Sequence, residues 1–232
     1  MDPTVWIHAT RRFFGLTPYA PNESCQICSA PLDEAHESAH CKHQTHNAVV
    51  DVFVNYARSV GGLQVQKEVR INALSGRRLD FTIVGLNGAN TIGTDVTVPC
   101  PLVASNVARA ARMTLATALH AGAKKRDKYD RMCNNERVQF VDLPIENFSG
   151  IPGNVIRFAD QLARVKVAKI DGDDDGFDML AAQQRFIRQQ ISIAIHRTIG
   201  TAMRAAHDKE WARIYAPQRE EDEPVVHAGG HD

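Results

Sequence analysis

Two segments of this chain, Arg77 to Val84 (RRLDFTIV) and Thr91 to Val98 (TIGTDVTV), are runs of β-branched and apolar residues, and each carries one aspartate, Asp80 or Asp95. Such runs fold as strands with at least one buried face, where an unpaired carboxylate costs several kcal/mol. A strand aspartate is therefore rare unless it holds a cation or takes part in chemistry. Two of them in neighbouring strands constrain the fold to one that lets both carboxylates reach a common cation. With side chains alternating at period two, Asp95 and Thr97 share one face of their strand while Val96 and Val98 turn into the core. By the same rule Asp80 is expected to share a face with Thr82 and Val84.

The rest of the chain reads as an α/β arrangement around these strands. Asn47 to Val60 places Val49, Val50, Phe53, Val54 and Ala57 at helical spacing and stops at Gly61-Gly62. Leu63 to Ile71 alternates apolar and polar residues as a half-buried strand does, and Ser75-Gly76 and Asn87-Gly88 mark the turns on either side of the first aspartate strand. One Ala-rich helix from Asn106 to Cys133 follows, then a strand from Arg137 to Leu143, then helices near Asn154–Lys169 and Phe177–Tyr215. The expected order is α, β, β, β, α, β with helical additions. Asp171 to Gly176 (DGDDDG) reads as a solvated linker, with calcium binding as the alternative, because it lacks the terminal Glu of an EF-hand loop. The last helix carries a stripe of Leu180, Phe186 or Ile187, Ile191, Ile195, Ile199 and Met203, which needs a partner surface in this domain or in a second copy.

Composition narrows the class. At 232 residues and 44% hydrophobic, the chain has a core of ordinary size. No run reaches the roughly 18 apolar residues of a membrane span, and the first residues, MDPTVWIHATRRFF, lack the order of a signal peptide; an intracellular protein, nuclear or cytoplasmic, is expected. The net charge is zero, yet Pro217 to Asp232 carries a net −4, so residues 1–216 carry +4. Four segments are expected: 1–46 with a metal knuckle, a core over 47–150, a helical extension over 151–216 and a disordered acidic tail over 217–232.

Cys25 and Cys28 form a C-x-x-C knuckle, and His36, His40, Cys41, His43 and His46 supply candidates for the other half of a zinc site. Three thiolates bind zinc more tightly than two, which favours Cys25, Cys28, Cys41 and one His, taken as His36, with His40 and His46 as alternatives. Four protein ligands make such a metal structural. For the carboxylates, Mg²⁺ (or Mn²⁺) fits: Asp80 and Asp95 as ligands, Glu68 on the polar face of the first strand as a third, and a phosphate oxygen and waters completing the octahedron. The plain alternatives are that Asp80 pairs with Lys67, Arg77 or Arg78 and that Asp95 caps a bend after Gly93.

The element order, an Asp in the second strand and an acid-x-residue step on the third (Asp95-Val96-Thr97) resemble the PD-(D/E)XK, or restriction-endonuclease-like, nucleases. Leu79 stands where that family has Pro, and Thr97 where it has Lys. A more extensive resemblance covers most of residues 11–150: RRFFGLTP, CQIC, LD, HC, THNAVVDVF, RRLDFTIVGLNG, DVTVPCPL, AKKRDKY and FVDLPIENFSG follow the order found in the endonuclease-like domain that trails reverse transcriptase in some retroelement polyproteins. The resemblance implies a restriction-endonuclease-like αβββαβ fold, a zinc-bound N-terminal knuckle and Mg²⁺-dependent cleavage or binding of DNA. It also implies that a lysine from the helix after the third strand replaces the one missing at Thr97, with Lys125 preferred and Lys128 one turn on. The segment Lys124 to Arg131 has a net charge of +3, and Arg77, Arg78, Arg109, Arg112, Lys124 and Arg126 are the expected phosphate contacts. The competing readings are a non-catalytic nucleic-acid-binding module on the same fold and an assembly domain that pairs through its last helix as a homodimer.

Overall fold

The computed structural model describes residues 34–71, 76–86, 88–101, 104–147, 150–170 and 176–215, with side chains from Gln44 to Thr201 apart from a few positions. Among these, five helices surround one four-stranded sheet: α1 (Glu34–Ser59), β1 (Gln64–Arg70), β2 (Arg78–Gly85), β3 (Gly88–Thr97), α2 (Ala104–Ala110), α3 (Ala116–Asn135), β4 (Val138–Pro144), α4 (Gly153–Ile170) and α5 (Gly176–Tyr215). The sheet order is β1-β2-β3-β4. β1 to β3 form an antiparallel meander, and β4 pairs parallel to β3. That parallel pairing requires a crossover, which α2 and α3 provide.

The two faces of the sheet are covered differently. On one side Val49, Phe53 and Ala57 of α1, Phe158 and Leu162 of α4, and Ile187, Ile191 and Ile195 of α5 pack on Phe81, Ile83, Ile92, Val96 and Leu143. Burying a side chain of this kind stabilises by about 1.5–3 kcal/mol, so this cluster carries most of the cohesion. On the other side α3 lays Tyr129 and Cys133 over Leu79, with Val138 and Phe140 around them. Within this domain the stripe of α5 is covered at Ile187, Ile191 and Ile195. Phe186 lies off that stripe and remains exposed.

Two helix readings are corrected. α1 begins at Glu34 instead of Asn47, so the expected boundary at residue 46 falls inside a helix. Between Pro31 and Gly61 there is neither proline nor glycine, and the Ala-, Glu-, Lys- and Gln-containing stretch over 34–46 continues the helix that the apolar spacing starts. The expected single helix from Asn106 to Cys133 is two, α2 and α3, separated at residues 111–115, where Leu115 takes a left-handed φ of 62°. Tertiary contact decides that break. Leu115 reaches over Gly150, where a Cβ would come 2.7 Å from its Cδ2, and Glu146 accepts a hydrogen bond from the backbone N–H of Ala118 at 3.3 Å, serving one of the unpaired donors of the first turn of α3.

Cys25, Cys28, the acidic tail over 217–232 and most of the DGDDDG segment lie outside the described residues, as do the side chains of His36, His40, Cys41 and His43.

Candidate active site

Asp80 sits where the pleat of β2 is interrupted. In a regular strand residues 79, 81 and 83 share a face; here Leu79 packs under α3 with Tyr129, whereas Phe81 and Ile83 pack against α1. The same point marks the end of the β2–β3 ladder, whose last pair is Phe81 with Thr94. Beyond it the strands part. The Asp80 carboxylate takes over as acceptor for the next donor, with Val96 N–H donating to Oδ2 at 2.6 Å. Gly93 makes the crossing of Leu79 feasible, because a Cβ there would come 2.6 Å from Leu79 Cδ1 and 2.8 Å from Val138 Cγ1. Asp80 does not therefore share a face with Thr82 and Val84, which line an open groove with Gln64 and Gln66 on the other side.

His46, from α1, approaches the same carboxylate. Its Nε2 lies 3.0 Å from Asp80 Oδ2, and its Nδ1 lies 3.0 Å from Asn47 Oδ1. Both ring nitrogens have a partner here; the cysteines expected to share a zinc with it, Cys25 and Cys28, lie outside the described residues. Burial pulls the His46 pKa down, but the hydrogen bond and the charge of Asp80 together outweigh it and leave it raised.

Asp95 is the most confined acid of the group, 4% exposed in β3. The Lys125 ammonium of α3 lies 2.5 Å from its Oδ2. At that distance the ammonium balances the charge of this buried oxygen and is its close cationic partner. Burial and then the neighbouring charge of Asp80 hold the Asp95 carboxyl above its ordinary range, while Lys125 and His46 work in the opposite direction. Lys125 also lies 5.6 Å from the Tyr129 ring centre, one helical turn on, and Lys128 sits 4.7 Å above the same ring. Thr97 follows on β3, its hydroxyl buried without a partner.

Asp142 and its surroundings were not anticipated from the sequence. In the parallel register Asp95 pairs with Asp142 of β4, which is 6% exposed. Arg126 Nη1 donates to Asp142 Oδ2 at 2.6 Å, and Asn154 Nδ2 of α4 donates to the Asp142 carbonyl at 3.0 Å. The signal was legible: FVDLP is a third aspartate inside an apolar strand, the same pattern that singled out Asp80 and Asp95. His46 reads from the sequence only as a candidate zinc ligand, and nothing in local sequence ties it to Asp80.

Other expected site residues stand apart. Glu68 occupies the position of β1 opposite Asp80, but its φ of 52° is left-handed and it pairs in solvent with Arg78 at 3.3 Å. Its conformation costs on the order of 1 kcal/mol for a non-glycine residue and turns Val69 to the opposite side of the sheet from Val65. Arg126 is held by Asp142 and Arg78 by Glu68, while Arg77 Nη1 donates to the Lys128 carbonyl at 3.2 Å. Arg112 and Lys124 are exposed and Arg109 half-buried along α2 and α3; Arg109 and Lys124 are near enough to His120 to depress its pKa further, after desolvation. That surface is basic.

Two carboxylates and one ammonium can hold a hard divalent cation through Asp80 and Asp95, with waters and a substrate phosphate completing the shell, as Mg²⁺ is commonly bound. Among the described residues no group of three or more His, Cys, Asp or Glu side chains is gathered to hold a metal by itself. No described helix is long and apolar enough to cross a membrane. No protein-family model and no curated protein matches the chain.

Proposed function

We propose that this chain is a metal-dependent endonuclease that hydrolyses phosphodiester bonds in DNA, built on a restriction-endonuclease-like core and of mobile-element origin. The observation that carries the reading is the meeting of Asp80, Asp95 and Lys125 where β2 and β3 part. The order of α1 to β4, with its antiparallel meander, the two-helix crossover of α2 and α3, and a parallel fourth strand, supports the fold assignment.

Asp80 and Asp95 would hold Mg²⁺ or Mn²⁺, which when bound lowers the pKa of a water and offsets charge on the phosphate under attack. The Val96 N–H and His46 keep the Asp80 carboxylate in place before any ligand arrives, so little is lost in ordering it on binding. Lys125 supplies the cation that Thr97 cannot. Its ammonium, beside Asp95, would orient water or stabilise the developing negative charge. The exposed Arg112 and Lys124 and the half-buried Arg109 would face the DNA backbone, with Lys128 beside Tyr129 at the edge of that surface. Zinc at Cys25, Cys28, Cys41 and one histidine, His36 with His40 or His46 as alternatives, belongs to the same proposal as a structural element.

The test is a plasmid-cleavage assay with Mg²⁺, Mn²⁺ or EDTA. Metal-dependent cutting by the parent, lost in Asp80→Asn and Asp95→Asn, supports the reading. Salt-sensitive DNA binding without cutting would instead make this a binding module, a reading favoured by the absence of lysine at Thr97.

A further inference from the structure

The Asp142–Arg126 pair is not used in the chemistry above, yet its carboxylate is, after Asp95, the most buried acid among the described ion pairs, and the two pairs are adjacent. Asp95 and Asp142 are register partners on β3 and β4, and their cations are consecutive residues of α3. Gly122 lies one turn before Arg126 and three residues before Lys125, on the same side of the helix. A Cβ at Gly122 would collide with Asp142 Oδ2 and come 2.9 Å from Pro144 Cγ. The helix therefore rides against β4 at this glycine, with the Asp142 carboxylate wedged between Gly122 and Arg126. Asn154 braces the same residue from α4, 3.0 Å from its carbonyl and 3.4 Å from its Oδ2.

We propose that Asp142 is a positioning residue: through Arg126 and Gly122 it sets the rotation and depth of α3 so that the Lys125 ammonium is delivered to Asp95. The physical argument is one of degrees of freedom. A lysine has four rotatable bonds and by itself specifies its charge poorly, whereas an arginine fork on a buried carboxylate has a narrow geometry. With α3 locked at Gly122 and Arg126, and Tyr129 packed on Phe140 one turn beyond, the Lys125 stem leaves the helix at a defined point. Small displacements of such a group are costly to chemistry that depends on alignment.

The inference rests on the nuclease reading for its consequence in catalysis but not for its structural content, and two measurements separate them. The first is kinetic. Asp142→Asn keeps size and the acceptor for Asn154 but loses the charge that holds Arg126; kcat for DNA cleavage is expected to fall ~10-fold with KM nearly unchanged. In a Lys125→Ala background the same substitution is expected to cost less than about two-fold, because the lysine it positions is gone. Equal losses in both backgrounds would mean a merely structural effect and would overturn the proposal.

The second measurement needs no activity. Acetylation by a trace of acylating reagent, read residue by residue by mass spectrometry on the folded full chain, is expected to rise several-fold at Lys125, relative to Lys124, in Asp142→Asn and in Gly122→Ala. Unchanged labelling of Lys125 in both folded variants overturns the positioning role even if the parent proves inactive on DNA. Altered labelling with an inactive parent retains the positioning and removes only the nuclease reading. Should Gly122→Ala fail to fold, Arg126→Gln replaces it, with the same expected rise.

Discussion

Asp95 and Asp142 stand opposite one another across the parallel β3–β4 pair, and each is neutralised by its own cation from successive positions of one helix, Lys125 and Arg126. Two buried carboxylates on neighbouring strands would repel strongly in a medium of low dielectric; with separate cations they coexist. Asp142 is held by an arginine and an amide, whereas Asp95 is met by a single lysine ammonium. In the proposed function Asp95, not Asp142, would hold the metal.

Asp80→Asn and Asp95→Asn are each expected to abolish metal-dependent cleavage while the fold is retained, since each change removes charge without changing shape. Asn at 80 still offers an oxygen to the Val96 N–H. Thermal unfolding together with plasmid nicking checks both halves, and a variant that cuts like the parent removes that residue from the site.

Lys125→Ala is expected to lower kcat by ~10²-fold with DNA affinity changed far less, the scale for losing one preorganised charge at a phosphoryl centre. Lys124→Ala should instead weaken binding and flatten its salt dependence. Lys128, over the Tyr129 ring and exposed, is expected to behave like Lys124. Similar effects of all three on affinity alone, measured by titration at several salt concentrations, would turn α3 into a phosphate-gripping surface.

Gly93→Ala is expected to destabilise the fold by about 1–3 kcal/mol, because its methyl would overlap Leu79 and Val138, which cross beneath it. Urea unfolding measures this. Cleavage should fall as well, since the route of Leu79 under β3 is what turns Asp80 to its place. An alanine variant as stable as the parent would show that Leu79 has another path.

In metal-free protein His46 carries a pKa raised above its ordinary 6.5 by Asp80. A raised pKa means that the folded state binds the proton more tightly, so this contribution is complete below about pH 6.5 and is lost as pH rises through the folded-state value. Asp95, also raised, acts with the same sign at lower pH. The expected result is that the melting-temperature gap between the parent and His46→Gln is wide near pH 5.5 and narrows at pH 8.5, with EDTA present. A gap independent of pH would show that the contact does not depend on the imidazolium.

Purified protein is expected to carry about one zinc per chain, with Cys25→Ser and Cys28→Ser losing it and melting at lower temperature. Metal analysis finding none, with unfolding indifferent to chelator, would remove the knuckle.

Local sequence determined the strands and most of the helices of this protein, because periodicity is a local property. Alternation from Leu63 to Ile71, the β-branched runs around Asp80 and Asp95, and the α5 stripe each state which face is buried, and β1 to β4 and α5 follow within a residue or two except at the start of β3. The oddity of an aspartate in an apolar strand is local as well, and it led to Asp80 and Asp95 and would have led to Asp142. What only tertiary structure decided is how those carboxylates are met. The left-handed turn at Leu115, which divides one expected helix, depends on Gly150; the interruption of the pleat at Asp80 depends on Leu79 passing under Gly93. His46 meets Asp80 across 34 positions of chain, and Lys125 meets Asp95 across a crossover. Contacts of that kind arise from packing helices onto opposite faces of a sheet, and no residue's neighbours in sequence carry a record of them.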